Sequence, residues 1–455
     1  GGPRAGEAGR GAKMRIRDAT SRARGRVTTA VRDGVRRRLF VRSAVSLDIP
    51  EGAESRGGGW FDRDGYPLTT VDDRGRYVCP WDVNGLDKGI RPFAVWQWER
   101  FWGTTRETLI PPDEEIGVVE DGGAEVVGNE DPCVKWLGHS TCLFTIPTDG
   151  KEPIRILTDP HLLDYASPVQ GVGPKRYRSF WSGGDGGERV LEAVDAVAIS
   201  HDHFDHLSVP SVRRIEAVKK PRYYVPMGIK KVLVDEAGVD EERVEECSWW
   251  ESRPSPFGGA TFTCVPAQHW CSRSPWDRNA RLWCGWVFTA QDGRACYFAG
   301  DTGMPRGYPL FEMIGDRCGP MELSAIPIGA YKPRWFMKAQ HVDPTEAVAI
   351  HKAVRSRRSV GVHWGTWPLA DEGWREPVEE LEKARMEAGV AEDEFLVVKH
   401  GEMVGTREIG EGEEDDKDDE YDEELEEEEF EVGIEDEYES DEAIQEGGEG
   451  IFRRY

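Results

Sequence analysis

"AISHDHFDHLSV", residues 198–209, decides the reading of this chain. His201, Asp202, His203, Asp205 and His206 fall within six positions, one residue after the run 194–199, which is apolar but for Asp195. Imidazole and carboxylate groups do not crowd the end of a buried strand without compensation. His201 and His203 are two apart, so alternation at the end of an extended strand puts them on one side. Asp205 and His206 follow as the chain turns toward a helix expected from about Val209. Neutral imidazole and carboxylate are ligand types that Zn²⁺ accepts. The expected compensation is metal.

Two metals need more ligands than this motif holds, and the ten histidines of the chain can be sorted for them. His269 ends the apolar run "TFTCVPAQH", Asp301 ends "CYFAGD" and His363 ends "SVGVH". Taken singly, each reads as a capping or satisfied polar residue. Beside H-x-H-x-D-H, a site shared at strand ends is the better reading, because loops at strand ends are where sites collect. His341, in "KAQHVDPTEA", sits in a loop just before a helix and is a candidate for substrate contact. His139, His161, His351 and His400 read as structural.

The rest of the chain is short strands with interspersed helices. Strands are expected in "CVKWLGHSTCLFTI", "IRILTDP", "AVDAVAIS", "RYYVPMG", "ATFTCVPAQHW", "LWCGWVFTA", "ACYFAGDTG", "LSAIPIG", "SVGVHWGTW" and "EFLVVKHGEMV". "QDG" marks a hairpin between two of them. Helices are expected in "SVPSVRRIEAVKK", "GIKKVLVDEAG", "PTEAVAIHKAVRS" and "EPVEELEKARMEAGV". Two stacked sheets with helices outside satisfy this order. The aromatic segment 93–105 reads as a docking helix.

The net charge of −27 is segregated. Residues 1–44 carry +10, residues 411–449 carry −23, and the stretch 45–410 carries −16. The Arg-rich, acid-poor head fits a mitochondrial transit peptide and equally a polybasic segment drawn to anionic lipid. The acidic tail lacks the apolar content to fold and reads as solvated or as an interaction segment. The expected divisions are a basic disordered or targeting segment 1–44, an extension 45–130 packed on the core, a catalytic domain 131–405 and a disordered tail 406–455. No stretch approaches the ~18 apolar residues of a spanning helix. The acidic middle offers no footprint for a nucleic-acid backbone. The nine cysteines form no C-x-x-C pair and read as reduced thiols. Cys264, Cys284 and Cys296 are expected in the core.

H-x-H-x-D-H followed by a distant His, Asp and His resembles the metallo-β-lactamase superfamily. "SPVQGVGPKRYR", "VPAQHWCSRSPWDRNARLWCGWVF", "YFAGDTG", "AIPIGAYKPRWFMKAQHVDPTEA" and "HWGTW" resemble the N-acylphosphatidylethanolamine-hydrolysing phospholipase D family over roughly residues 130–402. The block 324–347 is the most specific part. The resemblance implies an αββα sandwich with two Zn²⁺ ions. His201, His203 and His269 would hold one and Asp205, His206 and His363 the other, with Asp301 bridging. Asp205 and His341 would take catalytic roles, His341 near the leaving group, and Gln340 would line the pocket. It further implies a phospholipid substrate in a membrane and a homodimer, and the expected place is intracellular and cytoplasmic with peripheral membrane association. Hydrolysis would give N-acylethanolamine and phosphatidic acid.

Trp270, Trp276, Trp283, Trp335 and Phe336 are interleaved with Arg273, Arg278, Arg281, Lys332 and Arg334 around the ligand segments. Aromatic and cationic residues together suit a membrane headgroup region, and Trp270 and Trp335 are the expected substrate contacts among them. Two other functions fit parts of the pattern. One is a soluble metallo-hydrolase of a small phosphorylated lactone or ester, which block 324–347 disfavours. The other is a metal-stabilised, membrane-associated scaffold. A structural metal site is closed and four-coordinate, and seven candidate ligands disfavour it.

Overall fold

The computed structural model describes residues 38–40, 46–48, 53–56, 59–81, 92, 95, 117–119, 131–182 and 185–406. The basic head, most of the aromatic segment 93–105 and the acidic tail lie outside the described residues.

Two seven-stranded sheets form the centre. The first runs, edge to edge, through Val244–Cys247, Arg222–Pro226, Ala196–Ala198, Lys151–Thr158, Cys142–Thr148, Cys133–Trp136 and Met403–Gly405. The second runs through Ser252–Pro254, Ala260–Val265, Gly285–Ala290, Ala295–Phe298, Met321–Pro327, Ser356–Val362 and Phe395–Leu396.

Alternation explains why the central strands carry apolar residues on both faces. Phe144 and Ile156 of the first sheet share one core with Phe262, Trp286, Phe288 and Phe298 of the second. The Phe144 and Phe288 rings lie 5.2 Å apart, and Tyr224 stacks on Phe262 at 3.8 Å. The alternate residues Val197, Tyr223 and Val225 face a second core, shared with Val190, Leu191, Val212 and Ile215 of helices Gly186–Ala193 and Val209–Val218. Val287 and Tyr297 face a third, with residues of helices Leu310–Cys318, Pro344–Ala353 and Glu376–Ala388. The layers are therefore helix, sheet, sheet, helix, and a strand buried on both faces reads as a continuous apolar run.

The expected αββα sandwich is the observed fold, with corrections in its parts. "EFLVVKHGEMV" is two strands in different sheets, because Gly401 turns the chain at φ 90°. In "AVDAVAIS" only Ala196–Ala198 is strand. Helices Gly186–Ala193 and Leu310–Cys318 were not expected from the sequence.

Residues 59–81 pack on this centre. Tyr77 and Cys79 join the inter-sheet core. Trp249 N–H donates to Thr69 Oγ1 at 2.9 Å, and Tyr77 N–H to the Asn279 carbonyl at 2.9 Å. All nine cysteines are free, and Cys264, Cys284 and Cys296 are buried in the core as expected.

The strands that end at Thr158, Ala198, Val265, Phe298, Pro327 and Val362 point the same way within each sheet, as their parallel and twice-antiparallel pairings require. Their carboxyl ends open on a common crevice, where open sheets bind ligands.

Candidate metal centre

The 201–206 segment is shaped by the helix after it and by the residues that face it. Ser208 caps the helix Val209–Val218 by accepting from Ser211 N–H, with Pro210 in the first turn, so the loop must end there. Asp202 is fully buried and turns away from the histidines to pair with Arg281. Arg273 donates to the carbonyls of Asp202 and Leu207, each at 2.8 Å. Alternation therefore leaves His201 and His203 together, ring centroids 4.5 Å apart.

Two nests of ligand atoms result. His201, His203, His269 and Asp301 each offer one atom, all within 4.8 Å of one another. His139, Asp205, His206 and His363 form a second such group. Asp301 stands between the two. Its Oδ1 lies 3.0 Å from His363 Nε2 and its Oδ2 3.2 Å from His206 Nε2, 3.7 Å from His269 Nε2 and 3.9 Å from His201 Nε2.

These atoms fit a bound cation better than they fit one another. His201 Nε2 and His269 Nε2 crowd His203 Nδ1 at 2.9 and 3.2 Å. Asp301 Oδ1 and His363 Nε2 are buried and 3.0 Å apart, yet neither has a hydrogen-bond partner. Their lone pairs converge on shared space.

The surrounding protein fixes the tautomers that make this so. Asp159 Oδ2 accepts from His206 Nδ1 at 2.7 Å and from Ser200 Oγ at 2.5 Å. Ser200 Oγ in turn accepts from His201 Nδ1 at 2.8 Å. The Gln340 carbonyl accepts from His269 Nδ1 at 2.9 Å. Each bond places a proton on Nδ1 and aims Nε2 inward, and at His201 and His269, which stay neutral, that Nε2 is a lone pair.

Burial pushes His201, His203 and His269 below the usual imidazole range, which keeps them neutral. At His206 burial is outweighed by Asp301, Asp205 and Asp159, so its pKa is raised well above the usual value. Burial would also raise Asp205 and Asp301, but the facing imidazoles, His206 first, hold both well below the usual carboxylate range. The site's field favours positive charge.

His341 approaches from the loop 338–343. Arg334 Nη1 donates to its carbonyl at 2.9 Å, and Val342 N–H donates to the Thr302 carbonyl at 2.9 Å. The Asp343–Glu346 capping box starts the next helix immediately after. His341 Nδ1 lies 3.8 Å from Asp301 Oδ2 and has no hydrogen-bond partner. Gln340 turns its side chain to Trp270 Nε1, which donates to Oε1 at 2.7 Å. The Trp270 ring meets His203 edge-on at 4.3 Å.

The aromatic–basic set divides. Trp276 and Trp335 are 82% and 49% exposed. Trp283 is a core residue whose Nε1 donates to the Ala267 carbonyl, and Arg273 and Arg281 serve the metal loop from inside. These three are not free for lipid contact.

Two site residues escaped sequence reading. His139 is not a plain structural histidine: its Nε2 lies 3.1 Å from Asp205 Oδ2. His139 and His363 both take left-handed backbone, φ 54° and 63°, locked where His363 N–H donates to the His139 carbonyl at 3.0 Å. Asp159 is the other. His161 and His400 lie nearby, and His351 bonds Ser359 Oγ on the far side of the second sheet.

A Beta-lactamase superfamily domain model matches residues 155–364. An N-acyl-phosphatidylethanolamine-hydrolyzing phospholipase D of Caenorhabditis elegans is 40% identical over 277 residues, 59% of this chain and 74% of that protein. The chain belongs to the N-acylphosphatidylethanolamine-hydrolysing phospholipase D family. It is accordingly a metal-dependent hydrolase of the metallo-β-lactamase superfamily. A mitochondrial member from Saccharomyces cerevisiae is 35% identical over 326 residues, 68% of this chain and 65% of that protein. More distantly, a metal-dependent hydrolase of Pyrobaculum arsenaticum is 26% identical over 60% of this chain and 98% of its own length. The matched residues 155–364 contain His201, His203, Asp205, His206, His269, Asp301, His341, His363 and block 324–347, but not His139.

Proposed function

We propose that the chain hydrolyses N-acylphosphatidylethanolamine to N-acylethanolamine and phosphatidic acid, using two Zn²⁺ ions. The observation that carries this is the pair of ligand nests sharing Asp301, with His341 beside them. His201, His203 and His269 would hold one ion, Asp205, His206 and His363 the other, with Asp301 between. A divalent pair there offsets phosphoryl charge and makes water acidic enough to act near neutral pH.

The chain's own residues do the rest. His139 holds Asp205 Oδ2, the oxygen that also faces His206 and His363, and Asp159 holds His206 and, through Ser200, His201. In the reaction a water oxygen bonds to phosphorus as the bond to the ethanolamine oxygen breaks, and that leaving oxygen takes a proton. Burial pulls His341 down to about 4, so near neutral pH it offers a neutral imidazole. Its ring orients the leaving oxygen and relays the proton. Gln340, fixed to Trp270, walls the same pocket. Trp276 and Trp335 are exposed for contact with the bilayer that presents the substrate. Among the described residues no helix is long and apolar enough to cross a membrane, so the reading is peripheral attachment. The Arg-rich head and the mitochondrial yeast relative support a mitochondrial place for it.

Mass spectrometry of zinc-loaded protein with N-acylphosphatidylethanolamine vesicles tests the reading. Phosphatidic acid and N-acylethanolamine are expected, and neither with His203→Ala. Intact lipid with fully metal-loaded protein would reject the substrate and favour a small phosphorylated ester.

A further inference from the structure

Gln268 sits one residue before the ligand His269 and is 4% exposed. Its backbone ties this strand end to the Asp301 loop. The Gln268 N–H donates to Thr302 Oγ1 at 3.0 Å, and its carbonyl accepts from Gly303 N–H at 2.8 Å. Its side chain goes to the turn that carries His341, where Nε2 donates to the Ala339 carbonyl at 2.9 Å. Adjacent side chains therefore grip adjacent carbonyls, since His269 Nδ1 donates to the carbonyl of Gln340. The turn is tight: the N–H groups of Gln340 and His341 both donate to the Met337 carbonyl, at 2.8 and 2.9 Å. A shift of the Ala339 peptide thus moves His341 and the acceptor of His269 together. Glycine at 303 leaves room for the grip, because a Cβ there would stand 2.5 Å from the Ala339 carbonyl and 3.0 Å from Gln268 Nε2.

A side-chain amide can turn end for end, and Oε1 would then face the Ala339 carbonyl with no proton between them. Trp81 prevents this. Its indole N–H, which can only donate, reaches Gln268 Oε1 at 3.0 Å. The indole is held in turn by stacking on Tyr308 at 5.3 Å and on Trp249 at 5.5 Å. Trp81 ends the described segment 59–81, outside the residues 155–364 that the superfamily model matches.

We propose that Gln268 is a positioning residue for the reaction: it sets the 339–341 turn on which His341 and the acceptor of His269 both depend. Trp81 acts through it by fixing the amide, which makes segment 59–81 part of the catalytic unit. The role rests on the phosphodiester reading above, with His341 serving the leaving oxygen. The bland alternative is that Gln268 only satisfies a buried carbonyl, so that its loss costs stability alone.

Two esters separate these, each assayed with the full chain at saturating zinc. The nitrophenolate of bis(4-nitrophenyl) phosphate leaves without a proton, whereas the ethanolamine oxygen of N-acylphosphatidylethanolamine needs one. Gln268→Met keeps the volume and removes the amide. It should lower kcat on the lipid by at least about tenfold, because misplacing a reacting group costs up to about a hundredfold, with KM and kcat on the activated ester unchanged. Trp81→Phe keeps a stacked ring and should give a smaller loss of the same kind. Adding it to Gln268→Met should cost nothing more, since the two act in series. Should Gln268→Met not fold, Trp81→Phe carries the same comparisons. Competition with a chromophoric chelator needs no substrate, and the zinc affinity of Gln268→Met should fall by about tenfold, the low end for a displaced outer partner. Equal loss on both esters, no loss on either, or wild-type zinc affinity overturns the proposal. An additive loss in the double variant overturns the role of Trp81. A chain that leaves N-acylphosphatidylethanolamine intact ends the substrate reading, and zinc affinity still decides this one.

Discussion

Asp159→Asn probes whether the metal centre depends on the groups behind its ligands. The Asp159 carboxylate is fully buried and receives three hydrogen bonds, from Ser200 N–H at 2.6 Å, Ser200 Oγ at 2.5 Å and His206 Nδ1 at 2.7 Å. Asparagine keeps the shape but has one accepting oxygen, so its NH₂ must face Ser200 or His206. Either way at least one charge-assisted bond is lost, worth ~1.5–3 kcal/mol. With NH₂ in the Oδ2 place, His206 Nδ1 and Ser200 Oγ lose their common acceptor, so the His206 tautomer and the relay to His201 go together; in the Oδ1 place it faces the Ser200 backbone N–H and removes that bond. Loss of such outer partners lowers metal affinity about 10–100-fold, which is ~1.4–2.8 kcal/mol, and the two routes agree. Competition with a chromophoric chelator measures the affinity, and activity should return at excess metal. Affinity within about twofold of wild type would refute the claim that Asp159 orients two ligands.

Three further outcomes rest on the same geometry. His341→Gln should lower kcat by ~10²–10⁴, the range for a lost acid–base group, with metal content unchanged by elemental analysis; lost metal would show a structural role instead. Arg281→Gln leaves buried Asp202 without its partner and should destabilise the chain by ~3–5 kcal/mol in urea titration, and a loss below ~1 kcal/mol would contradict the pairing. Gly303→Ala places a Cβ 2.5 Å from the Ala339 carbonyl, so it should displace Gln340 and His341 and lower kcat more than it lowers the melting temperature; wild-type kcat would show that this contact does not position the pocket.

Much of this molecule was legible because its strands obey a period of two and end in polar residues. The run 196–199 is apolar on every residue because Ala196 and Ala198 face the other sheet while Val197 and Ile199 face helices. His269, Asp301 and His363 could be gathered because each closes a similar run. His139 and Asp159 could not. They are lone residues in "LGHST" and "LTDP", and His139 meets Asp205 across 66 positions of chain through a left-handed turn. No local spacing encodes that contact. Helix Leu310–Cys318 was missed for another reason: Gly315 interrupts its apolar pattern. Glycine is required there because a Cβ would meet the Ala353 carbonyl at 2.4 Å, where the neighbouring helix packs close. Block 324–347 did more to indicate the substrate than the metal motif, since the ligand set serves many chemistries while the loop bearing Gln340 and His341 shapes one pocket.

The most direct test of the central claim is hydrolysis of N-acylphosphatidylethanolamine by the zinc-loaded chain in ¹⁸O-labelled water. Attack of water on phosphorus with loss of the ethanolamine oxygen predicts one ¹⁸O in phosphatidic acid and none in N-acylethanolamine. Label in N-acylethanolamine, or release of diacylglycerol, would contradict it.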